Sequence, residues 1–158
     1  MKTDHPTFRF HPLLCWDIVA QGLYQKRNRL ALESLRKFAA KHQLHIDLHA
    51  VAEKDFEALV ITDADQTIQW VSHGFKSMTG YPAAYAKQRK PSFLQGPATR
   101  AADRQHIRDA VLRHQPCSAT ILNYRKDGTS YQCHIELIPL FTSNHILTHF
   151  LALEKEAR

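Results

Sequence analysis

The residues of this sequence that could bind a metal ion are its eleven histidines, a large number for 158 residues. Metal-binding histidines usually occur at fixed spacings, such as H-E-x-x-H on one helix face. That motif is absent, and the one i, i+4 pair of note is His45 with His49. The run LHIDLHA around it alternates like a β-strand, which would point both histidines the same way but supplies no third ligand. We therefore expect surface histidines and no metal site.

Nucleophilic or redox chemistry would need reactive cysteines or an activated serine. Cys15, Cys117 and Cys133 lie far apart without a C-x-x-C pair, so they predict buried thiols rather than disulfides or a zinc knuckle. No G-x-S-x-G elbow is present, and the five glycines are scattered singly, so none forms a phosphate-binding loop. The sequence predicts a protein that is not an enzyme.

Charge and hydropathy narrow the class of protein. The net charge is +6, part of it from the runs QKRNR at 25–29 and KQRK at 87–90. Short basic runs are usually solvated surface, so we expect no nucleic-acid partner. No stretch approaches the run of about 18 apolar residues that spans a membrane, and the first residues show no signal peptide, which predicts a cytoplasmic protein. With 44% hydrophobic residues, the chain suits one domain plus an extension.

A long N-terminal helix is predicted over residues 12–42. Apolar residues recur there at three- to four-residue steps: Leu13, Trp16, Val19, Leu23, Leu30 and Phe38. Pro12 suits the first helical turn, and Gly22 would bend or divide the helix. Residues 42–55 are predicted to be a connector with some strand character.

From residue 58 the hydrophobic period becomes that of strands. ALVITD and TIQWVS form a hairpin, and SATILNYR, SYQCHIELIPL and ILTHFLALEK form three more strands, with KDGT as a hairpin turn. Between the two sets lie short helices, one capped by Ser72 and ended by Gly80, and one over residues 100–114 capped by Thr99. This order predicts an α+β fold with a five-stranded antiparallel sheet.

Both faces of that sheet carry large apolar side chains. Alternation along the strands places on the outer face Leu122, Tyr124, Leu147, Leu151 and Leu153. Such a face needs a cover. We expect the N-terminal helix to provide it, either within one chain or across a dimer.

The order of these elements and several motifs resemble the PAS superfamily, and within it the LOV branch, over about residues 56–156. The matching text is VITDADQTIQWVSHGFKSMTGY, FLQGPATR, IRDAV, LNYRKDG and FLALEKE, in this order. The resemblance implies a PAS domain at 51–158, with helices on one face of its sheet, preceded by an N-terminal helical extension at 1–50. It also suggests a stand-alone bacterial protein.

In LOV domains, the cysteine of the motif NCRFLQG adds its sulfur to a flavin under blue light. The matching stretch here is RKPSFLQG at 89–96, in which Pro91 occupies the cysteine position and Lys90 and Ser92 replace its neighbours. A proline has no nucleophile. The resemblance therefore implies a LOV-like domain without the cysteine adduct.

Three further positions match flavin-contacting residues of the family, and two others differ from them. Gln95 matches in FLQ, Arg108 in IRDA matches the residue that reaches the flavin phosphate, and Asn123 in LNY matches one that bonds the polar edge of the ring. A second family asparagine falls on Cys133, and the glutamine of the last strand falls on Glu154. The candidate pocket residues are Gln95, Arg108, Asn123 and Glu154. As alternatives, Arg108 would form an ion pair on the helix surface, and the amides of Gln95 and Asn123 would have purely structural roles.

The replaced residues argue against a bound flavin. Each lost hydrogen bond costs about 0.5–1.5 kcal/mol and each lost charged contact about 1.5–3 kcal/mol, so several losses would weaken binding roughly a thousandfold. We therefore expect no cofactor, with FMN as the alternative. We also expect the pocket to be filled by Phe93, Ile121, Ile135 and Phe150.

The leading functional hypothesis is a non-enzymatic PAS sensory or protein-interaction module of bacterial signal transduction. It would sense a small molecule, or bind a protein partner or a second copy through the sheet face and the N-terminal helix. The first alternative is an FMN-binding photoreceptor or redox sensor lacking the adduct cysteine, with Tyr131 or Trp70 as electron donor. A minor alternative is a haem-binding PAS sensor that uses His106.

Overall fold

The structure is a computed structural model that describes the backbone of residues 12–157 and the side chains of residues 19–157. The side chains of Leu13, Cys15 and Trp16, which entered the sequence-based predictions, lie outside this description. Within it, no helix combines the length and the apolar character needed to cross a membrane.

The predicted N-terminal helix is confirmed as α1, Pro12–His42. Gly22 does not divide it, because the helix continues through this position as one element. The strand character expected for residues 42–55 is wrong, because this segment forms the short helix α2, Leu48–Ala52. The carboxylate of Asp47 accepts a hydrogen bond from the backbone N–H of Ala50 at 3.0 Å. That local bond starts a helical turn, which the alternating hydrophobic pattern could not reveal.

The sheet has the five antiparallel strands that the sequence predicts. They are β1 Ala58–Asp63, β2 Ile68–Val71, β3 Cys117–Tyr124, β4 Ser130–Phe141 and β5 Leu147–Glu156. Their order across the sheet is β2-β1-β5-β4-β3. The last strand therefore lies in the centre and joins the β1–β2 hairpin to the β3–β4 hairpin.

The segment between β2 and β3 crosses the inner face of the sheet. It contains α3 His73–Thr79, α4 Ala83–Ala86, a 3₁₀ turn Pro91–Leu94 and α5 Ala101–Leu112. Gly80 ends α3 with a φ of 77°, as predicted. Helix α5 packs against β3, the outermost strand on that side.

Ser72 and Thr99 do not cap the helices that follow them, so both predicted helix caps are wrong. The Ser72 hydroxyl makes no cap to α3 and instead accepts from the backbone N–H of Leu59 at 2.9 Å. Thr99 precedes the capping position of α5, and its hydroxyl accepts from the N–H of Gly96 at 3.0 Å and donates to the carbonyl of Leu122 at 2.7 Å. Both hydroxyls tie a loop to a strand, which is a long-range use that local sequence does not show.

The inner face packs against α3, α4 and the 3₁₀ turn. Its buried apolar residues include Val60, Ile68, Phe75, Met78, Leu94, Ile121, Tyr131 and Cys133. Helix α3 lies so close to the chain before β1 that a Cβ on Gly74 would be 1.9 Å from the carbonyl oxygen of Glu57. Only glycine fits at this crossing.

Helix α1 covers part of the outer face within the same chain, as expected. Ala31 and Leu35 of α1 belong to one buried cluster that also contains Phe56, Leu59, Ile61, Leu140, Leu151 and Leu153. The predicted cover is therefore confirmed for the outer-face leucines of β5 at 151 and 153. It extends over strands β1, β5 and the end of β4.

The expected cover of Leu122 and Tyr124 by α1 is wrong, because these residues are not part of that cluster. Both lie on β3, the edge strand farthest from the contact with α1. Tyr124 packs instead against Gly96, and its hydroxyl accepts from the N–H of Ala98 at 3.2 Å. The aromatic ring thereby holds the loop between the 3₁₀ turn and α5 against the sheet.

Candidate functional site

A cavity of about 410 Å³ lies between the inner face of the sheet, the 3₁₀ turn and helix α5. Its apolar walls are formed by Val60, Leu94, Ile107, Val111, Ile121, Ile135, Leu137, Phe150 and Ala152. The expectation of a filled pocket is wrong. Ile121, Ile135 and Phe150 line the space without filling it, and Phe93 packs edge-to-face against Tyr81 and Tyr85.

One side of the cavity is solvent-exposed and positively charged. Lys90 and, from α5, Arg104 and Arg108 line this side, and all three are exposed; we call them the basic mouth. Arg104 donates to the carbonyl of Thr99 at 2.6 Å. In the described part of the chain Arg108 forms no salt bridge, so the alternative role of an ion pair on the helix surface is not observed.

Two amide side chains also reach the cavity. Gln95 follows the 3₁₀ turn and lines the cavity. The backbone N–H of Gln95 donates a hydrogen bond to the carbonyl of Ser92 at 3.0 Å, which closes the turn. Asn123 lies near the end of β3 and is only 4% exposed. The structure thus brings Gln95, Arg108 and Asn123 around one space.

The fourth candidate, Glu154, lines the same cavity from the central strand and is 5% exposed. Its neighbours in the sheet register are Ala58 on β1 and Ile135 on β4, and neither can hydrogen-bond through its side chain. The Oε2 atom has no hydrogen-bond partner among the described residues. Burial among apolar neighbours raises the pKa of Glu154 to about 7. We call the region around Asn123 and Glu154 the buried end of the cavity.

Two more polar residues lie beside the buried end but belong to the core rather than to the cavity lining. Tyr131 and Cys133 on β4 are 3% and 0% exposed. Burial raises the pKa of the Tyr131 phenol and of the Cys133 thiol far above their usual ranges, and the neighbouring Glu154 carboxylate adds to both effects. Both side chains are therefore neutral at physiological pH.

Comparison with known proteins assigns this arrangement to a family. A family model described as a PAS domain matches residues 57–156, which include all five strands and the cavity. The chain belongs to the PAS domain family. It is a PAS sensory domain of signal transduction with LOV domains among its relatives and structural neighbours.

Among its relatives, Phototropin-2 of Oryza sativa subsp. japonica is 36% identical over 103 residues, which are 63% of this chain and 11% of that protein. A blue-light photoreceptor of Listeria monocytogenes is 32% identical over 101 residues, 62% of this chain and 40% of that protein. The PAS domain therefore spans well under two thirds of these relatives.

Solved LOV structures share the fold. The light-state structure of the Aureochrome1 LOV photoreceptor superposes with a TM-score of 0.63 at 31% identity, covering 65% of this chain and 83% of that chain. The LOV domain of the Erythrobacter litoralis EL346 histidine kinase gives a TM-score of 0.61 at 27% identity, covering 66% of this chain and 97% of that one. The PAS and α+β assignments from the sequence are confirmed.

Of the other residues considered from the sequence, Pro91 lies at the cavity, whereas His106 and Trp70 lie outside its lining. Pro91 lines the cavity, and no sulfur atom does so among the described residues. His106 is exposed on α5 and is not part of the cavity lining. Trp70 packs on the outer face, with its ring 5.9 Å from that of Phe38.

His45 and His49, the histidine pair noted in the sequence, lie at the surface. His45 and His49 are both exposed, and His49 pairs with Glu53 at 3.5 Å. Within residues 19–157, no group of three or more ligating side chains could hold a metal ion.

Sequence reasoning did not identify Arg104 as a cavity residue. Arg104 and Arg108 are four residues apart on one helix, a spacing that places both on the same face. That spacing was visible in the sequence and would have extended the predicted cation site from one arginine to two.

Proposed function

We propose that this PAS domain is a non-enzymatic sensory module that binds a planar anionic molecule in its cavity and passes the bound state to a protein partner. The observation that supports this function is the open cavity in which Gln95, Asn123 and Arg108 converge. Two amides offer donors and acceptors to the edge of a ring, and a cation offers a counter-charge to an anionic group.

The size of the cavity suits a small molecule. Ligand sites typically occupy about 300–1,000 Å³ and combine apolar walls with a few polar groups. The volume of about 410 Å³, the apolar walls and the basic mouth fit that description. The replaced flavin contacts still argue against a bound flavin, but the open cavity removes the further objection that the pocket is filled.

FMN is the first ligand to test, because it is planar and anionic and because blue-light photoreceptors are among the relatives. Gln95, Asn123 and Arg108 fit a ring with a polar edge and a phosphate. Glu154 fits less well, since an ionised carboxylate only accepts hydrogen bonds. With Pro91 in the cavity wall, we propose that a bound flavin would form no cysteine adduct.

Output is proposed to pass through α1 and the sheet. Residues 1–50 would form the helical extension and residues 51–158 the PAS domain, in a cytoplasmic signalling protein. On α1, the apolar side chains of Val19, Leu23 and Leu30 are 55%, 64% and 53% exposed. Their spacing places them on one side of the helix, which would suit a protein partner or a second copy.

The proposed function is tested by isolating the full chain and identifying its ligand. An absorption spectrum, followed by mass spectrometry of the molecules released on denaturation, should show a planar anionic compound, and a Soret band would instead support the haem alternative. FMN is then titrated into the ligand-free protein. Asn123→Leu should weaken binding about 2- to 10-fold, the effect of one hydrogen bond.

Arg108→Ala has a matched control in Arg113→Ala. Both arginines are exposed on or directly after α5, but only Arg108 lines the cavity. Arg108→Ala should weaken FMN binding by up to about tenfold, less at high salt, because an exposed charge is screened. Equal effects of the two variants, or a purified protein that neither carries nor binds a planar anion, would contradict the proposed function.

A further inference from the structure

Glu154 is the single carboxyl group among the described residues that line the cavity. It lies at the buried end, whereas the three cations of the basic mouth lie on the exposed side. No salt bridge to Glu154 is found in the described chain, and its Oε2 has no partner. A buried carboxyl without a donor is costly, so it marks a position where a ligand can supply one.

No side chain of the described residues donates a hydrogen bond to Glu154 Oε2, and the cavity that Glu154 lines is a direction from which a donor can come. Its sheet neighbours Ala58 and Ile135 are apolar. The titratable groups nearby on β4 are Tyr131 and Cys133, which are outside the cavity lining. The Tyr131 hydroxyl forms no hydrogen bond to Glu154 and, like Oε2, has no partner among the described residues. The remaining titratable groups that line the cavity belong to the basic mouth, and no histidine is among the lining residues.

We propose that Glu154 selects ligands that present an N–H or O–H donor at the buried end of the cavity while their anionic group lies at the basic mouth. While Glu154 is ionised, the same scaffold with an ether or another pure acceptor at that end is disfavoured, because two acceptors would face each other without a proton. This inference rests on the proposed function, since it specifies the chemistry of the ligand for the same cavity.

The selection reverses with pH. A donor ligand binds best when Glu154 is ionised, so its binding releases a proton and tightens as the pH rises through 7. An acceptor ligand binds best when Glu154 is protonated and tightens as the pH falls. With the pKa of Glu154 at about 7 in the empty protein, each affinity should change about tenfold between pH 6 and 8, in opposite directions.

Neighbouring groups do not produce the same reversal. Tyr131 and Cys133 stay neutral across this range, because burial raises the pKa of each far above its usual value. Lys90, Arg104 and Arg108 lie at the basic mouth and act on the anionic group of either ligand alike.

The test uses two naphthalene probes and the full chain. 6-Hydroxynaphthalene-2-sulfonate and 6-methoxynaphthalene-2-sulfonate share a planar ring system and a permanently charged sulfonate, and they differ in the presence of an O–H donor. Calorimetric titrations at about pH 6, 7 and 8 should show the hydroxy probe binding more tightly at high pH and the methoxy probe at low pH.

Glu154→Gln provides the decisive variant. An amide can donate and accept, so both probes should bind with affinities that no longer reverse with pH. The matched control is Glu33→Gln, an exposed position on α1, which should behave as the wild type. Circular dichroism and thermal melting confirm that each variant is folded.

The possible failures are distinguishable. Suppose that both probes bind the wild type and that Arg108→Ala weakens the binding of both. If the two probes then show the same pH dependence, or keep opposite pH dependences in Glu154→Gln, the role of Glu154 is refuted and the proposed function stands. If neither probe binds the wild type or Glu154→Gln at about 1 mM, the cavity is not a site for planar anions, and both proposals fail.

Discussion

Replacing Glu154 by glutamine should stabilise the ligand-free protein at neutral and alkaline pH. The glutamic acid side chain is 5% exposed, and its Oε2 has no partner among the described residues. Ionising it in the folded state therefore costs free energy that the unfolded chain does not pay. Glutamine has nearly the same shape and never ionises.

The size of the effect follows from the pKa of Glu154, which burial raises from 4.5 to about 7. Below pH 4.5 the carboxyl is protonated in the folded and unfolded states alike, and no ionisation cost arises. Between these values the unfolded state ionises first, so the free energy of unfolding falls as the pH rises. The loss amounts to about 1 kcal/mol at pH 5 and about 3 kcal/mol at pH 8.

Urea denaturation of the wild type and of Glu154→Gln at these two pH values measures the loss directly. The difference in unfolding free energy between the two proteins should widen by about 2 kcal/mol from pH 5 to pH 8, or roughly 4–8 °C in melting temperature. Glu33→Gln, at an exposed position, should show no such widening. A difference that stays constant with pH would refute the assignment of Glu154 as a buried, unpaired carboxyl.

Three further predictions concern the packing of α1, the crossing at Gly74 and the cavity wall. Leu35→Ala removes a fully buried leucine between α1 and the sheet and should lower the free energy of unfolding by about 2–5 kcal/mol. The control Leu23→Ala, at a side chain that is 64% exposed, should lower it far less. Similar losses for the two variants would argue against the packing of α1. Gly74→Ala should destabilise the protein strongly, because its Cβ would meet the carbonyl oxygen of Glu57. Gly22→Ala lies in an open part of α1 and should stabilise the protein by about 0.5–1 kcal/mol. Denaturation curves that show the opposite order would contradict the structure. FMN-loaded wild-type protein should show no reversible bleaching of the flavin band under blue light, since Pro91 has no thiol, and a spectrum that bleaches and recovers would disprove this.

The strands and the long helices could be predicted because their signals are local. Alternation located β3, β4 and β5, and helical spacing located α1 and α5. Asp47, Ser72 and Thr99 were harder, because a short polar side chain can bond to its own turn or to a distant strand with equal chemistry. The tertiary structure decides between these partners, so the cap at Asp47 was overlooked and the caps at Ser72 and Thr99 were assigned wrongly.

The cavity residues could be named from motifs, but the state of the cavity could not. Ile121, Ile135 and Phe150 are large enough to fill a pocket, and the sequence does not specify how far α5 stands from the sheet. That distance depends on contacts such as Tyr124 against Gly96, which involve residues far apart in the chain. Amino-acid types thus predicted the lining but not the volume that it encloses.

The central position of β5 has a consequence for how the protein is made. Ala58 pairs with Glu154, so this contact closes a loop of roughly 100 residues and carries a large entropic cost. During synthesis, the β1–β2 and β3–β4 hairpins emerge first, and each exposes an unpaired edge until β5 inserts between them. Because such edges invite intermolecular pairing, we expect the nascent chain to be most prone to aggregation just before β5 leaves the ribosome.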